Sequence, residues 1–307
     1  MPNKVIIDKN FLSKFFAYDL ESDISFESLG LANSQIANTF TFLDDLKYFS
    51  QIIDNKCITG VITTKELGSM FLKEQSSIHL FYHEDPRFLF YTIYNECAKE
   101  NKRLNKFESI ISKYAKVDPS AYVAPFNVVI GEGTIVAPNA TILEDVSIGN
   151  YCVVQSGTVI GSEGFEYKRT SLGIVPVLHD GEVIIEDYVE IGSNTSIDKG
   201  FKNKPTLIEK FAKIDNLVHV AHCVQIKEGA FVIASSMLAG SCVIGNNAWI
   251  GPNSTVGHVS VGNNADVTFG AVVTKNVADG EKVSGNFAIP HKMFLKFLKD
   301  VLNKYTE

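Results

Sequence analysis

Two histidines in this chain stand at matched distances from a glycine: His222, Gly240 and His258 follow one another at intervals of 18 residues. An imidazole titrates near neutrality and can take a proton from an attacking amine or hydroxyl. A glycine lets a ligand approach the main chain, where a free N–H can hold a developing oxyanion. Imidazole, bare amide and imidazole in one column would suit acyl transfer from a thioester. His222 would accept the proton, Gly240 N–H would face the oxyanion, and His258 would orient the acyl group or add a hydrogen bond. The bland alternative is two surface histidines with no shared role. The spacing has chemical meaning only if 18 residues bring the backbone back over itself, at roughly 4.8 Å per return.

The sequence supplies that return. Ile130, Val136, Ile142, Ile148, Val154 and Ile160 fall six apart, Ile185, Ile191 and Ile197 resume the spacing, and a third run goes unbroken from Ile208 through Val220, Leu238 and Ile250 to Val256. It then slips by one residue to Val261, Val267 and Val273. Helical faces repeat at about 3.6 residues and strands at about 2, so neither explains a period of six. A short strand plus a tight corner does, and three such sides close a coil whose inward Val and Ile columns form one apolar core. The competing explanation is a sandwich with coincidental spacing. Two stretches leave the register, residues 161–183 and 198–207. Excursions from a regular scaffold are common places for binding groups, and Phe165, Tyr167, Lys168 and Arg169 in the first favour ligand contact.

Three parts result. Residues 1–108 read as an α/β domain, with strands near Thr39–Leu43 and Ile78–Phe81 and a helix beginning at Pro86. Residues 109–289 are the coil. Residues 290–307 place Met293, Phe294, Phe297, Leu298, Val301 and Leu302 on one stripe, predicting a short C-terminal helix that caps the coil or packs on a neighbouring subunit. Docking of an acidic carrier protein is a second use for it.

Bulk properties exclude several classes. Among 307 residues, 45% are hydrophobic and the net charge is −7, with no long basic block, so nucleic acid is not the expected partner. No apolar run is long enough for a transmembrane segment, and the opening MPNKVIIDKN lacks leader features. Five scattered cysteines without a CxxC pair suggest neither a disulfide framework nor a zinc knuckle, and a cytoplasmic location fits. Cys223 adjoins His222, but strand neighbours face opposite ways, so it reads as a small core residue rather than a nucleophile. A metal shared by His222 and His258 is a competing reading, that of β-helical carbonic anhydrases. Their third ligand would fall at Asn263, so no metal site is expected. Asp215 and Asn216 are further candidates for orienting or substrate-binding groups.

The segments IDNLVHVAHCVQI, MLAGSCVIG and TVGHVSVG, with GSEGFEY and VEIGSNTSIDKG, resemble the UDP-3-O-acylglucosamine N-acyltransferases of lipid A synthesis. The resemblance extends over about residues 1–290, with FTFLDDLKYF similar to that family's uracil-binding segment. It implies a mainly β fold, a left-handed parallel β-helix of hexapeptide repeats, assembled as a homotrimer with active sites between subunits. It implies His222 as general base, Gly240 as oxyanion donor and His258 as second active-site histidine, with Phe42 and Tyr48 sandwiching uracil. Asp45 stands where the family usually has Asn; it can accept from the base N–H but cannot donate. No resident cofactor is implied; acyl-CoA or acyl carrier protein is the acyl donor. Cys223 replaces an Asn, His179 and Asp180 stand where the family is usually PQIG-like, and the tail is short. These departures favour a relative that N-acylates an amino sugar carried on UDP or dTDP from acyl-coenzyme A. The lipid A enzyme itself is the alternative, followed by a metal-dependent hydratase and a non-catalytic sugar-nucleotide binder.

Overall fold

The computed structural model describes residues 5–21, 24–74, 76–285 and 288–304. Residues 1–4, which open the stretch read for a leader, and residues 305–307 of the tail lie outside it.

The period of six becomes a three-walled coil. Three parallel sheets of eight, nine and eight strands run its length. Val128 pairs with Val146, Gln225 with Val243 and His219 with Met237, each one 18-residue coil apart. Most strands hold two or three residues, because one inward Val or Ile and a turn complete each side. The inward columns are buried, with Ile142, Val220, Val232 and Ile250 at 0% exposure. Burying such a side chain contributes roughly 1.5–3 kcal/mol, which offsets the cost of ordering so many turns. Corners often adopt left-handed backbone, φ 62° at Cys223 and 68° at Ser241. After Val256 the period slips: Thr255 pairs with Val272, only 17 residues on.

The N-terminal domain is a four-stranded parallel sheet, Ser28–Leu29, Thr39–Leu43, Ile58–Thr63 and His79–Tyr82. The long helix Pro86–Leu104 packs on it through Leu89, Phe90 and Ile93. Asp85 starts that helix: its Oδ1 accepts from Phe88 N–H at 2.9 Å, Pro86 occupies the first turn, and Lys102 and Arg103 sit in the last.

The first excursion is a hairpin, Tyr167–Thr170 against Gly173–Pro176. Its tip is fastened to the long helix, since Ser171 N–H and Oγ donate to the other oxygen of Asp85 at 2.6 and 2.7 Å. Asn95 of the same helix holds the hairpin's far end, donating to the Pro176 carbonyl and accepting from Leu178 N–H.

The terminal helix His291–Lys304 forms as its apolar stripe predicts, but none of its residues is buried. It does not cap the coil within this chain. No helix among the described residues is long and apolar enough to cross a membrane.

Candidate active site

His222 lies in the corner between the strands His219–Val220 and Gln225–Ile226. Gly240 and His258 occupy the equivalent corner one and two coils further on. Both excursions leave from that same corner: residues 161–183 separate Val159–Ser162 from Val183–Ile185, and residues 198–207 lie between Ser196–Asp198 and Thr206–Ile208. One edge of the prism therefore carries every departure from the repeat and the three residues of the column.

The three groups are in contact. A Cβ built on Gly240 would meet His222 Nε2 at 2.5 Å and Cε1 at 2.7 Å, so the ring occupies the space a side chain would need. His258 Nδ1 lies 2.5 Å from the Gly240 carbonyl oxygen. An acceptor there means that Nδ1 carries the hydrogen, leaving Nε2 of His258 with its lone pair. Among the described residues, Gly240 N–H makes no hydrogen bond. Lys204 of the second excursion reaches the same turn, its Nζ 3.4 Å from the Ser241 carbonyl.

The excursions bring further groups to His222. Glu166 Oε2 stands 3.8 Å from His222 Nε2, while its Oε1 is paired with Lys168. The His179 ring stacks on Phe201, centroids 4.5 Å apart, and tilts against His222 at 5.1 Å. Glu163 Oε2 lies 3.5 Å from His179 Nδ1, while Glu163 Oε1 binds Lys199 Nζ at 2.7 Å. Burial pushes His222 below the usual imidazole range, and His179 beside it adds to that. Burial works against ionised Glu163, but the adjacent His179 ring, the His179 backbone N–H that donates to it at 3.1 Å and the Lys199 ammonium hold its carboxyl down to about 2. Tyr94 of the long helix donates to Asp180 at 2.6 Å, which braces the excursion next to His179.

Cys223 is buried, and burial pushes its thiol up. It sits in a turn, not on the strand expected, and its N–H donates to Thr206 Oγ1. Asp215 and Asn216 lie at a different corner. There Asp215 accepts from Ala234 N–H and Asn216 from Ser193 N–H, tying adjacent coils together. Phe165 and Tyr167 are exposed on the hairpin, with ring centroids 4.9 Å apart. Asn263 ties corners to one another, accepting from Asn246 N–H and donating to Asp279. Among the described residues no three His, Cys, Asp or Glu side chains converge as metal ligands.

A cavity of about 380 Å³ opens between the N-terminal domain and the hairpin, lined by Phe42, Asp44, Tyr48, Arg87, Tyr91 and Lys168. Arg87 is held by Asp44 at 2.6 Å. Asp45 is not in the lining; its carboxylate accepts from Lys47 N–H and pairs with Lys47 Nζ, capping the short turn that carries Tyr48. Lys168 ties this cavity to the column, because Glu166, two residues before it, faces His222. The sequence did not single out Glu163, Glu166, Phe201, Asp44 or Arg87. All but Asp44 and Arg87 lie in the two excursions, whose loss of period was the available signal.

The bacterial transferase hexapeptide model, of six repeats, matches residues 127–162 and 241–275. Two stretches of the coil thus carry the hexapeptide repeat of bacterial transferases. With the three parallel walls, this gives the parallel β-helix of hexapeptide repeats expected from the sequence. The UDP-3-O-acylglucosamine N-acyltransferase of Wolinella succinogenes is 38% identical over 176 residues, covering 55% of each chain. That of Campylobacter lari is 39% identical over 152 residues, covering 48% of this chain and 47% of its own. The chain thus spans about half the length of the curated relatives it matches. A solved UDP-N-acetylglucosamine acyltransferase from Campylobacter jejuni aligns with a TM-score of 0.49 at 19% identity, over 58% of this chain and 70% of that one.

Proposed function

We propose that this protein is an N-acyltransferase that moves an acyl group from a thioester to the amine of a nucleotide-linked amino sugar. The observation that carries the reading is the His222 ring lying against Gly240, whose own N–H is unengaged, with His258 on the next coil. The nucleotide base would enter between Phe42 and Tyr48, with Arg87 and Lys168 facing its phosphates. The sugar would then extend along the hairpin toward Glu166 and His222.

At the column the amine nitrogen bonds to the thioester carbon while its proton passes to His222 Nε2. The carbonyl oxygen becomes an oxyanion beside Gly240 N–H. Collapse of that intermediate breaks the carbon–sulfur bond, and the departing thiolate takes the proton from His222. A neutral His222, favoured by burial, is the form this step requires. The donor is acyl-coenzyme A or acyl carrier protein, and the working form is a homotrimer. Large apolar side chains exposed on the coil walls, among them Phe231, Met237, Trp249 and Val272, support such an assembly.

The test is a thiol-release screen pairing acyl-coenzyme A of several lengths, and acyl carrier protein, with UDP- and dTDP-linked amino sugars. Turnover of a short-chain coenzyme A donor is the expected result. The printed names of the matched relatives favour a second reading, acylation of UDP-3-O-acylglucosamine, and strict dependence on acyl carrier protein would select it. No thiol release from any pair would overturn both.

A further inference from the structure

His179 has a role that the proposed chemistry leaves open. Its side chain is wholly buried, yet neither ring nitrogen has a hydrogen-bond partner. His222 Nδ1, on the ring it touches, is buried and unpartnered as well. Buried polar atoms without partners are rare and call for an explanation, the more so on two rings in contact. Glu163 lies beyond His179, 3.5 Å from its Nδ1, and is itself fixed by Lys199. Gly164 leaves the gap between the rings open: a Cβ there would meet His179 Nε2 at 2.5 Å and His222 Cβ at 2.9 Å.

We propose that His179 is a positioning residue for His222, the middle member of a relay Glu163–His179–His222 that sets the tautomer of the base. In this relay His222 Nδ1–H donates to His179 Nε2, while His179 Nδ1–H donates to the Glu163 carboxylate. Both rings are then neutral Nδ1–H tautomers, and His222 presents its Nε2 lone pair to the amine. When His222 takes the amine proton, its charge rests against the His179 lone pair and, beyond it, the Glu163 carboxylate. This follows the general arrangement in which a base is oriented by a third group. The stack on Phe201 holds the His179 ring in plane for both bonds. The other charged or titratable groups facing the pair are Glu166, Asp198, Lys199, Lys204 and the His258 ring.

The role rests on the proposed acyl transfer, but its test does not depend on turnover alone. Histidine ring nitrogens of the full chain, selectively labelled with nitrogen-15, report tautomers directly. At neutral pH, His179 and His222 are expected to carry hydrogen on Nδ1 only. His179→Phe should convert His222 to a mixture of tautomers and lower kcat by about tenfold or more, with KM for either substrate changed less than about threefold. His179→Gln, whose amide oxygen restores an acceptor, should recover part of kcat and shift the acid limb of the pH profile. Glu163→Gln, at a half-exposed position, should disturb the His179 tautomer and lower kcat even if His179→Phe does not fold. A wild-type His222 protonated at Nε2 overturns the relay. So does a His179→Phe or Glu163→Gln enzyme with unchanged kcat and tautomers. If the wild-type protein releases no thiol while the ring signals are as expected, the acyl-transfer reading falls and the relay stands.

Discussion

The His222 ring lies so close to Gly240 that a Cβ at residue 240 would sit 2.5 Å from its Nε2. Ring and amide therefore exclude any side chain between them. Gly240→Ala must push the ring aside, and kcat should fall on the order of a hundredfold, the scale seen when one oxyanion donor is lost. His222→Ala should cost at least about as much. Steady-state thiol release with circular dichroism as a folding control checks both. Wild-type turnover in His222→Ala would remove it from the base role.

The pH profile follows from burial of His222. Loss of hydration disfavours the imidazolium, so the neutral ring persists to lower pH than the ordinary value of 6.5. The rate should rise with pH, and the acid limb of kcat/KM should be centred below about 6.5. An acid limb centred above pH 7 would contradict this.

Tyr48→Ala should raise KM for the sugar nucleotide about two- to tenfold with little change in kcat, as expected for one lost stacking face. Phe42→Ala should do the same and also lower the melting temperature. The Phe42 ring packs on Phe90 at 4.9 Å and Tyr91 at 5.8 Å, whereas Tyr48 is exposed. Equal effects on stability would show that the two rings are not divided in this way.

Ile250 stands at 0% exposure in the inward column. Ile250→Ala should destabilise the coil by ~2–5 kcal/mol, the cost of a buried cavity. Urea unfolding measures it, and a loss under about 1 kcal/mol would mean that the coil collapses around the gap.

The coil was legible because inward residues repeat with a fixed step, and that step alone placed His222, Gly240 and His258 in one column. The slip after Val256 did not spoil it, because His258 still stands two residues past an inward residue, as His222 and Gly240 do. What lay outside the repeat was not legible. Nothing in the order of residues says that two excursions of different length leave one corner, or that they press His179 and Phe201 onto His222. Asp44 and Asp45 are adjacent, and only the turn geometry assigns the first to the cavity and the second to capping. The C-terminal stripe predicted its helix correctly but could not say what it covers, since amphipathicity records an apolar face and not its partner.

Asp85 spends one oxygen on the start of the long helix and the other on the hairpin tip. That helix lines the compartment proposed for the base through Arg87 and Tyr91, and the hairpin brings Glu166 to His222. Re-aiming the helix therefore re-aims Glu166. Under the proposed reaction the choice of nucleotide and the handling of the amine would not be separable variables: swapping one would require retuning the other.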